Sequence, residues 1–199
     1  FAIIWDGKQL HGLNASGRAP SKWTPEFFAG RSSMPMRGWN SVTVPGCVAG
    51  WLDMSQKFGK LPFESLFEPA IEYAEAGYIV SPFVARRWAM QVEELKVQPG
   101  FSQYFMPSGS APEPGEMFRI PDAARTLRRI AHSRGEAFYQ GELAAKIAAH
   151  SEAYGGVMTV SDLAGHTNEW GTPPEMTYRD LTIHEIPPNG QGIVCLIAL

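Results

Sequence analysis

The chain has 199 residues, of which 44% are hydrophobic and 19% charged, a balance that supports a packed core and excludes wholesale disorder. Lys and Arg number 17 against 20 Asp and Glu, a formal net charge of -3, so no basic excess points to nucleic acid as a partner. With 20 Gly and 16 Pro, many turns and irregular connections are expected.

Residues 1–14 alternate apolar and polar around Asp6-Gly7, which predicts two antiparallel strands joined by a turn. A loop follows from Asn14 to Pro20, with Gly17 free to take conformations closed to other residues. Residues 21–30 predict a short helix, and 31–45 a loop holding a short strand around Val42 and Val44. Apolar residues at 47, 48, 51, 52, 54 and 58 fall on one helical face, and Gly59 suits the end of that helix. Trp51 and Leu52 should therefore be largely buried. A helix from Glu68-Pro69 turns Ile71 inward and stops at Gly77, and Ser81-Pro82 caps another that runs to about Leu95.

Residues 98–118 carry four Pro and three Gly and read as an exposed loop. Asp122 to Arg134 is a helix with Leu127, Ile130 and Ala131 on one side; Arg125, Arg128, Arg129 and Arg134 read as its solvated face. One long helix should run from Glu136 or Gly141 to Tyr154, closed by Gly155-Gly156. Ser161 to Ala164 is a helical turn. Met176 to Ile186 reads as strand, turn at Arg179-Asp180, and strand, stopped by Pro187-Pro188. Gly190-Gln-Gly192 starts a final helix. The strand-like Phe1–Trp5 and the apolar Ile193–Leu199 lead us to expect further chain on both sides. No apolar run approaches the length of a membrane span. Strands, then many helices, then strands, without βαβ alternation, define an α+β class, here a single partial domain over residues 1–199.

The residues alone yield no complete catalytic set. Cys47 and Cys195 lie far apart and outside any CxxC, which argues against a disulfide or a zinc site and for two buried free thiols. G-x-S-x-G, S-x-x-K and H-E-x-x-H are absent. His11, His132, His150 and His166 have no orienting partner in sequence, and His184-Glu185 runs into Ile-Pro-Pro. Gly190-Gln-Gly192 lacks the third glycine of a dinucleotide loop. The carboxylate pairs Glu72/Glu75, Glu93/Glu94 and Glu113/Glu116 read as solvated surface. No cofactor is expected.

Several stretches together resemble the gamma-glutamyltranspeptidase family. They are Leu13–Pro20; Val44–Trp51 followed by Phe58-Gly-Lys-Leu-Pro62; Ala124–Ile130 with Phe138-Tyr-Gln-Gly141; Gly155–Thr159 through Asp162-Leu-Ala164; and Tyr178-Arg179 with Pro187–Gly192. They fall in the family's order and cover nearly the whole chain. The resemblance implies an N-terminal nucleophile hydrolase, an αββα sandwich of which this chain is a helix-rich portion of the large subunit. It implies a precursor that cleaves itself, a small subunit as partner, and a small γ-glutamyl or related amide as substrate. The new N-terminal Thr of the small subunit attacks the amide, with its own amine as base. That Thr is expected beyond Leu199, so no catalytic residue is assigned within this chain. A periplasmic or secreted location accords with the resemblance, although no signal peptide is visible in this segment.

The sequence departs from the family at one informative place. Members that bind the γ-glutamyl α-carboxylate carry Arg-Glu-x-Ala-Pro after the first strand pair. Aligning on Ala19-Pro20 puts Ser16 at that Arg and Gly17 at that Glu, with Arg18 two residues further on. Ser16 and Arg18 are thus the candidate substrate-binding residues. A guanidinium grips a carboxylate through a planar two-donor fork that Ser cannot reproduce. Either Arg18 reaches the same space by another loop path, or the substrate lacks that carboxylate, as in the family's cephalosporin-acylase branch. A non-catalytic homologue serving as a binding scaffold is the remaining alternative.

Overall fold

The computed structural model describes all of residues 1–199. The first two strands, β1 (Ala2–Trp5) and β2 (Leu10–Asn14), pair antiparallel with Ala2 opposite Leu13 and Trp5 opposite Leu10. Asp6 makes the turn between them. Its carboxylate accepts the backbone N–H of Lys8 at 2.8 Å and of Gln9 at 2.9 Å, and Gly7 follows at φ +96, a conformation that glycine adopts without strain.

Helix α1 (Cys47–Phe58) forms as expected. Gly59 ends it, but in an extended conformation (φ -68). Glycine is needed there because a Cβ would lie 2.4 Å from the Ser55 carbonyl oxygen. Helix α2 (Glu68–Ala76) stops at Gly77 (φ 99). Helix α3 (Pro82–Leu95) is capped by the Ser81 side chain, which accepts the Val84 N–H.

Three local expectations are corrected before residue 120. Residues 21–30 form successive turns rather than a helix, closed by bonds such as Trp23 N–H to the Pro20 carbonyl at 2.9 Å and Ala29 N–H to that of Glu26 at 3.1 Å. No strand forms at Val42 or Val44; a single 3-10 turn covers Trp39–Ser41. The Pro/Gly-rich stretch 98–118 is not a plain loop. It contains helix α4 (Phe101–Phe105) and ends in β4 (Met117–Phe118), which pairs with β3 (Tyr78–Ile79). Aromatic packing of Trp88 against Phe105 and Phe118 outweighs the turn-forming composition there.

Helix α5 (Pro121–His132) leads into α6 (Glu136–Tyr139) and α7 (Glu142–Ala153). Of the two starts expected for the helix that ends near Tyr154, the one at Gly141 holds: residues 136–139 form the separate α6, and a Cβ on Gly141 would lie 2.8 Å from the Ala137 Cα. The arginines of α5 are exposed yet paired: Arg128 with Glu75 of α2, Arg129 with Glu142 of α7, and Arg125 with Asp122. Two of these ties hold α5 to its neighbours, so the solvated-face reading of the arginines and of Glu75 is incomplete. The bond from Arg128 holds the Glu75 carboxyl below its ordinary range.

Helix α8 (Val160–Ala164) opens on a capping box: Thr159 accepts from the Asp162 N–H while the Asp162 carboxylate accepts from Thr159. Strand β5 (Glu169–Gly171) then joins β2, giving the sheet order β1-β2-β5 with Leu13 opposite Trp170 and Asn14 opposite Glu169. The hairpin of β6 (Glu175–Tyr178) and β7 (Leu181–His184) turns at Arg179-Asp180, with Arg179 at φ 57. Helix α9 (Gly192–Ala198) closes the chain.

The core lies in three clusters: Val48, Phe63, Phe67, Ile130, Ala131 and Leu143; Val44, Ala144, Met158 and Leu163; and Val80, Ala85 and Phe118. Leu52 and Ile71 pack partly buried against the first. Trp51 does not bury as expected and is 40% exposed. It stands over Phe67 at the rim of an apolar cavity of about 520 Å³ between α1 and α2, which Met54, Phe58 and Leu127 also line. Both cysteines are exposed and free, which overturns the expectation of buried thiols.

Candidate substrate cleft

A polar cleft of about 640 Å³ opens where the loop after β2 meets the loop before α9, and Asn14, Ser16, Arg18, Glu169 and Asn189 line it. The backbone fixes its floor. The Val44 N–H donates to the Arg18 carbonyl at 3.0 Å. A Cβ on Gly17 would fall 1.4 Å from the Val44 carbonyl oxygen, and one on Gly46 would fall 2.0 Å from that of Ala15. Only glycine permits these two segments to cross so closely. Further on, the Ser21 N–H donates to Asp162 at 2.8 Å, so the loop is tied at both ends.

Asn14 organises the neutral side of the cleft. Its Oδ1 accepts the Ser16 N–H at 2.9 Å, an Asx turn, and lies 2.7 Å from the Ser16 Oγ. The same Oγ is 2.8 Å from the Asn189 Oδ1, so its single hydrogen serves one of two acceptors at a time. The Asn14 Nδ2 donates to Asn189 Oδ1 at 3.2 Å and to the Pro188 carbonyl at 3.4 Å. Residues 173 apart in sequence are thereby brought together, Ser16 among them. On the charged side, Arg18 Nη2 donates to Glu169 Oε1 at 3.0 Å, with both side chains more than half exposed. These two are the ionisable groups of the lining.

Behind the cleft lies a polar network. The Tyr139 hydroxyl donates to the Pro45 carbonyl at 2.8 Å and accepts the Ala49 N–H at 3.0 Å. Burial pushes its pKa up to about 12, with the Ala49 N–H opposing. The His166 ring stacks on Tyr139 and pairs with Asn168, whose Nδ2 donates to Asp53 at 2.9 Å. The other histidines also have partners that sequence did not reveal: His11 with Asp6, His132 with Glu64, His150 with the Trp39 indole, and His184 with Glu175. None of the histidines lines the cleft, and no three His, Cys, Asp or Glu side chains converge on a point that could hold a metal ion.

Of the site residues expected from sequence, Ser16 and Arg18 both line the cleft. Sequence reasoning missed Asn14, Glu169 and Asn189. Asn14 and Asn189 fall inside two of the quoted motif stretches, so a signal existed for them; Glu169 carried none.

This architecture is that of the helix-rich portion of an N-terminal nucleophile hydrolase. It superposes on the cephalosporin acylase of Bacillus halodurans with a TM-score of 0.93 and 42% identity, covering 98% of this chain and 38% of that one. The family model for gamma-glutamyltranspeptidase matches residues 1–199, and the chain belongs to that family. It is 36% identical over 193 residues to a glutathione hydrolase-like proenzyme of Bacillus subtilis and 38% identical over 193 residues to an oxamate amidohydrolase proenzyme of Klebsiella pneumoniae. The chain covers 96% and 94% of its own length in these matches but spans only 37% of each relative.

Proposed function

We propose that residues 1–199 form the large-subunit core of an enzyme that cleaves or transfers the acyl group of a small amide, and that the cleft around Ser16 is part of its substrate pocket. In this reading an N-terminal Thr outside these residues attacks the amide carbonyl carbon, and its own amine takes the hydroxyl proton. The amine leaving group departs with a proton, and water or an acceptor amine then releases the acyl group from the ester. The residues described here bind and orient the acyl group and do not perform the attack.

The observation that carries this reading is the convergence of loop 14–18, Glu169 and Asn189 on one polar cleft, since residues far apart in sequence supply a single wall. The small subunit of the same precursor would supply the rest. Much apolar surface lies open, including Phe1, Trp5, Ile193 and Ile197, which suits a chain that packs against further polypeptide.

For the acyl group, the second of the sequence-derived alternatives is favoured by a specific observation: Ser16 is hydrogen-bonded to neutral amides, and Arg18 is engaged by Glu169. A non-glutamyl acyl group therefore fits better than γ-glutamyl. Expression of the whole reading frame tests the reading. Self-cleavage to a fragment with N-terminal Thr, seen by mass spectrometry, is expected, with faster turnover of anilides of neutral acyl groups than of glutathione or glutaryl anilide in the same panel. An uncleaved, inactive protein would establish the scaffold alternative.

A further inference from the structure

We propose that Glu169 is a built-in counter-ion for Arg18 that biases the cleft against acyl groups ending in a carboxylate and toward neutral, hydrogen-bonding ones. The acyl ligand is taken from the amide-cleaving reading above, but the contact itself stands on the geometry.

Both partners are held by backbone. Arg18 is held through its carbonyl, which accepts the Val44 N–H at 3.0 Å, and the adjoining Gly17 packs so closely on the Val44 backbone that a Cβ would not fit. Glu169 lies in β5 directly opposite Asn14. Cross-strand partners project to the same face of a sheet, so Glu169 leaves the sheet on the side where Asn14 meets Ser16 and Asn189. The 3.0 Å contact between Arg18 and Glu169 thus spans the cleft wall between two fixed elements.

A ligand carboxylate entering here must compete with Glu169 for the guanidinium, and once bound it faces the displaced Glu169 as a like charge. A neutral amide or hydroxyl group leaves the ion pair intact and meets Asn14, Ser16 and Asn189, which offer both donors and acceptors. The two residues together make the lining electrically neutral despite the arginine. Because both side chains are exposed, the bias is modest, on the scale of a surface ion pair.

The test compares glutarate with its neutral counterpart glutaramide, titrated by NMR or calorimetry into the full-length processed protein. Glu169→Gln keeps the shape and removes the charge. It should tighten glutarate binding about two- to fivefold, the ratio that follows from an exposed ion pair, and leave glutaramide unchanged. Arg18→Gln added to Glu169→Gln should erase the gain. Equal shifts for both ligands, no shift for glutarate, no binding of either ligand to any variant, or a gain that survives in the double variant would each overturn the proposal. Turnover of anilide substrates by the unmodified protein is scored separately. Its absence would end the amide-cleaving reading, while the binding contrast still decides the role of Glu169.

Discussion

Gly17 and Val44 are held so close that a Cβ on the glycine would lie 1.4 Å from the valine carbonyl oxygen. The obstacle is backbone, which cannot rotate away as a side chain can. Gly17→Ala must therefore move the loop that carries Ser16 and Arg18. We expect a loss of at least about 3 kcal/mol, at or above the upper end of ordinary overpacking, read as a lowered midpoint in urea unfolding. A neutral Gly17→Ala would show that the loop can part from Val44.

Leu163 and Trp51 separate burial from mere hydrophobicity. Leu163 is fully buried in the cluster with Val44, Ala144 and Met158, whereas Trp51 is 40% exposed. Leu163→Ala should cost about 2–5 kcal/mol, and Trp51→Ala less than the roughly 3–5 kcal/mol of a fully buried aromatic. Thermal or denaturant unfolding of the two variants checks the order, and a reversed order would place Trp51 in a packed interface that these residues do not show.

The contrast also marks what the sequence could and could not tell. Helices α1, α2, α3 and α5 were legible because apolar spacing, Gly59, Gly77 and Ser81-Pro82 all act within a few residues. The turns at 21–30 and the β3–β4 pairing were not, and packing of Trp88 on Phe118 across sequence decides the second. In the cleft, Ser16 and Arg18 were found through a departure from a motif. Glu169 was invisible, since only the β2–β5 register brings it opposite Asn14. Cys47 and Cys195 defeat the usual burial of thiols, as both lie on outward helix positions.

Tyr139 carries a pH signature at the alkaline end. Burial raises its folded pKa to about 12, above the value of about 10 of an unfolded tyrosine. Between those values the unfolded chain has lost the proton that the folded chain retains. The stability linked to Tyr139 is therefore fully present below pH about 10 and is lost as pH rises toward 12. Tyr139→Phe should flatten this part of the stability curve while costing about 1 kcal/mol at neutral pH for its hydrogen bonds. An unchanged alkaline slope in Tyr139→Phe would exclude Tyr139 as its source.

Asp162 gives the opposite sign in acid. Burial pushes its carboxyl up, but the bonds from Thr159 and Ser21 outweigh burial and hold it below its ordinary value. Its contribution is therefore present above the unfolded pKa and is lost as pH falls through the lower folded one. Asp162→Ala should cost about 1–2 kcal/mol at neutral pH, the size of a lost helix cap, and should reduce the loss of stability on acidification. Because Asp162 also receives the Ser21 N–H at 2.8 Å, hydrogen exchange at Ser21 should quicken in the same variant. Unchanged exchange there would show that the loop is held without Asp162.

Ser16 and Asn189 should be energetically coupled although 173 residues separate them. The Ser16 Oγ lies 2.8 Å from the Asn189 Oδ1 and 2.7 Å from the Asn14 Oδ1, so losing one acceptor leaves the hydroxyl another. That redundancy lowers the cost of Asn189→Ala but not of Ser16→Ala, and puts the information in the coupling. Ser16→Ala, Asn189→Ala and the double variant of the full-length protein should show a coupling of about 0.5–1.5 kcal/mol, that of one net hydrogen bond. Asn14→Ala should raise the Ser16–Asn189 coupling, because it removes the competing acceptor 2.7 Å from the Ser16 Oγ. If the Ser16 and Asn189 effects simply add, the hydroxyl spends its hydrogen on Asn14, and Asn14 alone ties the loop before α9 to the cleft.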